Sequence, residues 1–429
     1  MHILFLTDNF PPEVNAPASR TFEHCKEWVR SGHDVTIVTC VPNFPKGRVF
    51  KGFQNRIWQT QYIDGIHVVR VWTYITANEG FFKRIFDYLS FMISSFLASF
   101  FIPKVDLIIG TSPQFFTVFS AYMVSLFKRV PWVFELRDIW PESIRAVGAI
   151  KSSRILDHFE RLELFLYDKA SAIVSVTHAF KTNLINRGVD EHKIHVVTNG
   201  VDMSRYNHRC KDKELIKKYN LQNKFVAGYI GTHGMAHELN TILDAARTLR
   251  NSKNGDSFKF ILLGDGASKN QLQDRARQEG LSNVVFIDTV PKNDVVRYWS
   301  ILDVSIIHLK KTELFKTVIP SKLFECMGMG IPILHGVQGE SAKIVEAEEV
   351  GVLFEPENEH DLISGLHCLA EDKELHQKFK SNCLETAINY NRSKLALEML
   401  QVLMKCIKGS QIVQVGVACE KLSNRRTSN

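Results

Sequence analysis

Pro320-Ser321-Lys322-Leu323-Phe324-Glu325-Cys326-Met327-Gly328-Met329-Gly330-Ile331-Pro332-Ile333 is the most informative stretch of the 429-residue chain. Pro320 and Ser321 are residues that start helices, Gly328 and Gly330 stop them, and residues 331–334 read as a short buried strand. A helix start presents unpaired amides and the positive end of the peptide dipole, which suits a phosphate. Lys322, in the first turn, adds a point charge for the same anion. Glu325, about one turn further in, can accept two hydrogen bonds from a sugar diol. An anion site followed by a diol acceptor is the outline of a nucleotide-sugar site. An ordinary solvated helix start has the same residues, so the segment alone leaves both readings open.

Outward from this stretch, short apolar runs alternate with helical ones, the pattern of parallel sheets covered by helices. Strands are expected at residues 2–7, 35–40, 68–71, 107–110, 132–136, 172–176 and 194–197 in the first half. In the second half they are expected at 226–230, 259–263, 284–287, 304–307, 331–334 and 351–354, with only helical patterns after 358. Residues 19–31 place Phe22, Cys25, Trp28 and Val29 on one helix face. The turn after the first strand, residues 8–17, contains no glycine, which argues against a dinucleotide-binding dehydrogenase.

Composition sets the class. Hydrophobic content of 45% and charged content of 23% are those of a soluble globular protein long enough for two cores. The net charge of +7 comes without a dense basic patch interleaved with aromatics, so nucleic acid is not an expected partner. Eight scattered cysteines show neither C-x-x-C nor zinc spacing and read as reduced residues of a cytosolic protein. The N-terminus reads as a buried strand and not as a secretory signal.

Residues 85–102 hold thirteen apolar side chains in eighteen, at the lower limit for a membrane-spanning helix. Asp87 lies inside the run, Lys83, Arg84 and Lys104 flank it, and Asp87, Ser90, Ser94 and Ala98 form one small or polar face. A helix lying in the membrane interface, with Lys83 and Arg84 towards headgroups, is the expectation; buried and spanning helices are the alternatives.

Three further motifs accompany residues 320–333 in order: Val197-Thr198-Asn199-Gly200-Val201-Asp202, Ile261-Leu262-Leu263-Gly264-Asp265-Gly266, and Asn283-Val284-Val285-Phe286 with Val290-Pro291. Together they resemble retaining glycosyltransferases of family four, from the first strand to about residue 400. The opening Leu6-Thr7-Asp8-Asn9-Phe10-Pro11-Pro12-Glu13 and Arg137-Asp138-Ile139-Trp140-Pro141-Glu142 resemble the WbuB-type subgroup of bacterial surface-polysaccharide assembly. The resemblance implies an α/β fold of the GT-B type, two Rossmann-like parallel-sheet domains facing a cleft. Its expected divisions are an acceptor domain at 1–202, a linker at 203–224 and a nucleotide-sugar domain at 225–390. A helix at 391–408, with Leu395, Met399, Leu400 and Met404 as its stripe, returns to the first domain and precedes a polar tail at 409–429.

For the chemistry, the resemblance implies donor contacts from Gly231, Thr232, His233, His237, Val290, Ser321, Lys322 and Glu325, with no metal and no cofactor beyond the UDP-sugar. Two departures matter. The Arg and Lys that the family places after its Gly231 equivalent are missing, which shifts the diphosphate load to Lys322, nearby amides and His237 if protonated. His233 and His237 can equally be plain polar loop residues. Thr317 stands where the first glutamate of the E-x7-E pair is expected, so sugar contacts fall to Glu313, Thr317 or amides. Asp138 is the expected general base, with Glu142 the second candidate; capping a helix or pairing with Arg137 is the alternative for Asp138. Asn15 and Arg20 are expected on the acceptor side, although Arg20 can instead pair with Glu23.

The implied reaction moves a sugar, such as N-acetylfucosamine or another N-acetylamino sugar, from a UDP-sugar to a polyprenyl-diphosphate-linked saccharide of O-antigen or capsule. The expected location is peripheral, on the inner face of the bacterial plasma membrane through residues 81–103. A nonhydrolysing sugar-nucleotide epimerase and a non-catalytic binding protein are the competing classes.

Overall fold

The computed structural model describes residues 1–44, 47–76, 81–139, 153–252 and 255–426, and it divides into two units. The first comprises Met1–Thr198 with Ser393–Asn429, the second Asn199–Arg392.

The strands of the first unit are β1 (His2–Leu6), β2 (Asp34–Cys40), β3 (Trp58–Ile63), β4 (Ile66–Val71), β5 (Leu107–Thr111), β6 (Trp132–Leu136), β7 (Ala172–Ser175) and β8 (Ile194–Val196). Their order is β3-β4-β2-β1-β5-β6-β7-β8, parallel except for the antiparallel β3–β4 pair. Helices α1 (Ala16–Arg30), α2 (Phe81–Ser99), α3 (Phe115–Lys128), α4 (Ser153–Lys169) and α5 (His178–Asn186) cover it. β1 is apolar from Ile3 to Leu6 because both faces are covered there. Ile3 and Phe5 enter one core with Cys25 and Trp28 of α1, while Leu4 and Leu6 enter the other with Phe115 and Val118 of α3.

The second unit carries β9 (Phe225–Ile230), β10 (Phe258–Leu263), β11 (Val284–Ile287), β12 (Val304–His308), β13 (Ile333–Gly336) and β14 (Gly351–Leu353). They form a parallel sheet ordered β11-β10-β9-β12-β13-β14. Its helices are α6 (Lys213–Lys218), α7 (Asn240–Arg250), α8 (Lys269–Gln278), α9 (Val295–Trp299), α10 (Lys322–Met329), α11 (Glu340–Ala347), α12 (Glu359–Glu371) and α13 (Lys373–Ala387). The last helix, α14 (Arg392–Arg426), belongs almost wholly to the first unit. There Leu395, Met399 and Leu403 join the core and the Trp28 indole donates to the Ala396 carbonyl at 2.8 Å.

Four sequence expectations need correction. β3 was not expected: it is an edge strand whose residues alternate between exposed and half-buried, so it lacks a continuous apolar run. Residues 203–224 are no linker, because Tyr206, Leu215 and Leu221 lie in the core of the second unit and Asp212 caps α6. The helical backbone of α14 continues to Arg426, through residues read as a polar tail. Met404 is 40% exposed and stands outside the buried stripe.

Among the described cysteines, Cys25, Cys40, Cys326 and Cys383 are buried, Cys210 and Cys368 exposed, and Cys406 half-buried. No described helix is long and apolar enough to cross a membrane. α2 instead turns its small side chains inward. Ser95 bonds Ser120 of α3 at 2.9 Å in a buried contact, whereas Phe86, Ile93 and Leu97, with Phe101 just beyond the helix, are more than half exposed.

Candidate active site

In the second unit the chain leaves β9 through Gly231, whose φ of 151° lies in the region that favours glycine. A Cβ there would stand 2.7 Å from Lys322 Nζ, so the glycine makes room for the lysine. Lys322 Nζ sits over the Tyr229 ring, 3.7 Å from its centroid, and has no hydrogen-bond partner among the described residues. The residue is only half-buried, but its nitrogen is enclosed, and that desolvation lowers the ammonium to about 8. Ser321 is the N-cap of α10, and its hydroxyl does not bond the helix.

Around the same tyrosine stand the rings of His233 and His237, at 5.9 and 5.8 Å between centroids. The Tyr229 hydroxyl donates to the Thr232 carbonyl at 2.8 Å. His233 is wholly buried, and neither of its ring nitrogens finds a partner; the same holds for Nδ1 of His237. Desolvation, aided by Lys269 and Lys322 for His233 and by Lys322 for His237, holds both at about 4. His237 is therefore neutral near pH 7 in the unliganded protein, so the condition on which it would share the diphosphate load is not met there.

Glu325 faces the Tyr206 hydroxyl, which hydrogen-bonds it, with Arg392 and Lys292 nearby; burial nevertheless raises its carboxyl above the usual range. Val290 is half-buried against the core. Other cations and carboxylates of this region are committed: Lys310 pairs with Glu238 at 3.1 Å, Lys311 with Glu355 at 2.5 Å and Glu313 with Lys316 at 2.6 Å.

In the first unit a polar cavity of about 250 Å³ opens beyond the C-terminal ends of β1, β2, β4 and β5. Asp8, Asn9, Asn15, Asn43, Asp87 and Gln114 supply its polar lining. Asn15 caps α1 by accepting from the Ala18 amide at 2.9 Å, and its amide donates to Asn9 Oδ1 at 2.6 Å. Burial, with Asp8 adding to it and Arg84 opposing, raises Asp87 to about 7. Burial likewise raises Asp8, against Asn9 and Arg137.

Asp138 follows β6, where the Arg137 and Asp138 amides donate to Ser112 Oγ at 2.8 and 3.2 Å; its carboxylate is half-buried. Glu142 lies outside the described residues. Arg20, expected on the acceptor side, is committed inside the fold. Its guanidinium is buried and donates to Glu135 at 2.9 Å, the Thr198 carbonyl at 2.7 Å and the Val197 carbonyl at 2.9 Å. The buried Glu135 carboxylate holds it in the interior, away from solvent.

Residues 18–205 match the Glycosyltransferase Family 4 profile, and residues 211–385 match Glycosyl transferases group 1. The chain is a GT-B glycosyltransferase. It is 25% identical over 389 residues to WcaI of Escherichia coli K12, assigned as a colanic acid biosynthesis glycosyl transferase, covering 85% of this chain and 91% of that one. Among solved structures, Anabaena HepE in complex with UDP has a TM-score of 0.68 at 17% identity, covering 94% of this chain and all of the other. WaaG, a glycosyltransferase of lipopolysaccharide biosynthesis, aligns with a TM-score of 0.68 at 13% identity over 94% of this chain and 99% of its own.

The transferase thus brings Gly231, Thr232, His233, His237 and Lys322 into one cluster, with Glu325 on the same helix as Lys322. Tyr229, Asp8 and Asp87 escaped the sequence reading. Tyr229 hides inside an apolar strand run, and the wound topology brings α2 and the loop after β1 to the same cavity. The one available signal was Asp87 itself, a carboxylate within an otherwise apolar helix.

Proposed function

We propose that the transferase moves a sugar, with retention, from a UDP-sugar to a lipid-linked saccharide during surface-polysaccharide synthesis. The observation that carries this is Lys322 Nζ, enclosed, unpartnered and stacked on Tyr229 beside Gly231 at the end of β9. An unpaired buried ammonium is costly unless an anion completes it. A nucleotide diphosphate supplies that anion, with the first amides of α10 as further donors. Glu325 accepts the ribose diol, and Ser321, Thr232 and the backbone near Val290 line the donor. Charge grows on the leaving diphosphate, so Lys322 acts most strongly in the transition state.

The polar cavity of the first unit is the proposed acceptor pocket, with Asn15 and Asn9 presenting amides to hydroxyls. Asp138 is the proposed base. Asp8 is a second candidate, because it lines the cavity itself whereas Asp138 stands beside it, through Ser112 and the lining residue Pro113. UDP in HepE and the colanic acid assignment of WcaI favour this donor and this acceptor class over the epimerase and binding-protein readings. An N-acetylamino sugar and the WbuB-type subgroup rest on the motifs quoted above.

The proposed location is the inner membrane surface, by way of α2. Its outward Phe86, Ile93 and Leu97 continue into a chain of ring contacts, Phe96–Phe100 at 4.9 Å and Phe100–Phe127 at 4.2 Å. The deciding test incubates the transferase with a panel of nucleotide sugars and a bacterial membrane extract. Radiolabel from a UDP-sugar entering a lipid-extractable product is the expected result. Epimerised donor without transfer, or no turnover of any donor, overturns the proposal.

A further inference from the structure

We infer that the donor pocket gains a proton from solvent when it binds a diphosphate, and that Nδ1 of His237 receives it. The inference rests on the donor reading above and adds a proton to it. Around Tyr229, Lys322 Nζ, both nitrogens of His233 and Nδ1 of His237 are all buried and unpartnered. Such groups are costly to leave unpaired, and three converging on one ring suit an anion.

The charge count is short by one. A diphosphate linking a nucleoside to a sugar carries two negative charges, and Lys322 supplies one positive charge. Lys269, beside His233, is occupied by Asp288 at 2.5 Å and the Gly264 carbonyl at 2.8 Å. Lys310 and Lys311 are paired with Glu238 and Glu355. Lys292 and Arg392 act on Glu325. An imidazolium would make up the deficit.

Between the two histidines, geometry selects His237. His233 is wholly buried, its Nε2 only 3.3 Å from where a Cβ on Gly264 would stand, and it faces Lys269, Lys322 and Asp265. His237 is only half-buried. It faces Lys322 from α10, His308 from β12 and His233 from the preceding turn, and its ring already bonds the His308 backbone, leaving Nδ1 open. In the unliganded state burial and Lys322 hold His237 at about 4, so it enters binding neutral. The arriving anion reverses the sign of its surroundings, and the new N–H forms at Nδ1 with a proton drawn from buffer.

Calorimetric titration of UDP into wild type and His237→Gln, at pH 5.5 to 8.5 in buffers of different ionisation enthalpy, tests this. The terminal phosphate of UDP titrates in both proteins, so the difference between them isolates His237. Wild type is expected to gain nearly one more proton than the variant at pH 6.5. Its affinity advantage should be about tenfold or more at pH 5.5 and vanish by pH 8.5. An affinity ratio constant over this range, with equal proton uptake, overturns the inference. Should His237→Gln fail to fold, ¹⁵N-histidine spectra of wild type at pH 6.5 with saturating UDP decide instead: an imidazolium pattern at His237 supports the inference and a neutral one overturns it. If wild type binds no UDP at all, the donor reading falls and this inference with it.

Discussion

Glu325 is tied to Tyr206 and lies close to Arg392, so its removal strands a buried hydroxyl as well as losing a ligand contact. Glu325→Gln, which keeps the shape, therefore tests function more cleanly than Glu325→Ala. UDP affinity is expected to fall about tenfold or more in both by calorimetry, and only the Ala variant should lose about 1–3 kcal/mol of stability. Lys322→Ala is expected to weaken UDP far more than uridine and to slow turnover more than it weakens binding. Equal losses for the two ligands would place the diphosphate elsewhere. Arg20→Ala should act differently, destabilising the fold by about 3–5 kcal/mol because Glu135 is left buried and unpaired, while UDP affinity of the folded protein stays unchanged. Lys322 and Glu325 were legible in sequence because one short helix start displays both. Arg20 was not, since its partner Glu135 lies 115 residues away and only sheet closure brings them together.

At the scale of elements, helix α2 buries Ser95 and Ser99 beside Phe91 and leaves Phe86, Ile93 and Leu97 exposed. The spacing of Asp87, Ser90, Ser94 and Ala98 marked a small or polar face, of which Asp87 lines the polar cavity, whereas the serine that bonds α3, Ser95, was not among them. Four or five large apolar side chains entering lipid supply several kcal/mol at about 25 cal/mol per Å². Phe86→Ser with Phe101→Ser is thus expected to release the transferase from liposomes in flotation without lowering its melting temperature. Wild type floating no better than a soluble control would reject membrane attachment. Changing Phe96 is a poorer probe, as it packs against the core. The β3–β4 hairpin shows the opposite limit of legibility. Its Asp64-Gly65 turn, both residues at positive φ, is a strong hairpin signal, whereas the strand it introduces has no apolar run of its own.

Across the whole molecule, the strongest proton preferences of buried groups differ in sign between the two units, although burial also lowers His33, His67 and His195 in the first and raises Glu325 in the second. His233, His237 and His308 are held at about 4 and His335 at about 3, chiefly by burial, all in the second unit. Native values below the unfolded value of about 6.5 mean that unfolding binds protons, so their contribution is full above that pH and is lost between about 6.5 and 4. Each such group changes stability by about 1.4 kcal/mol per pH unit over its window. Asp87, raised to about 7 in the first unit, has the reverse sign: its contribution is full below about 4 and is lost as pH rises through 7. Acidification from pH 7 to 5 is therefore expected to split the calorimetric melt, with the second unit unfolding first; a single transition moving as a whole would contradict this. The wound architecture of both units was readable from alternating runs, but these proton balances were not, since they depend on which histidines the sheets enclose. The cysteines provide a clock for the same event. Under native conditions a thiol reagent should mark Cys210 and Cys368 at once and leave four others silent. Of these, Cys25 and Cys40 reside in the first unit and Cys326 and Cys383 in the second, so mass spectrometry of timed samples dates the opening of each unit from its own pair of alkylation events.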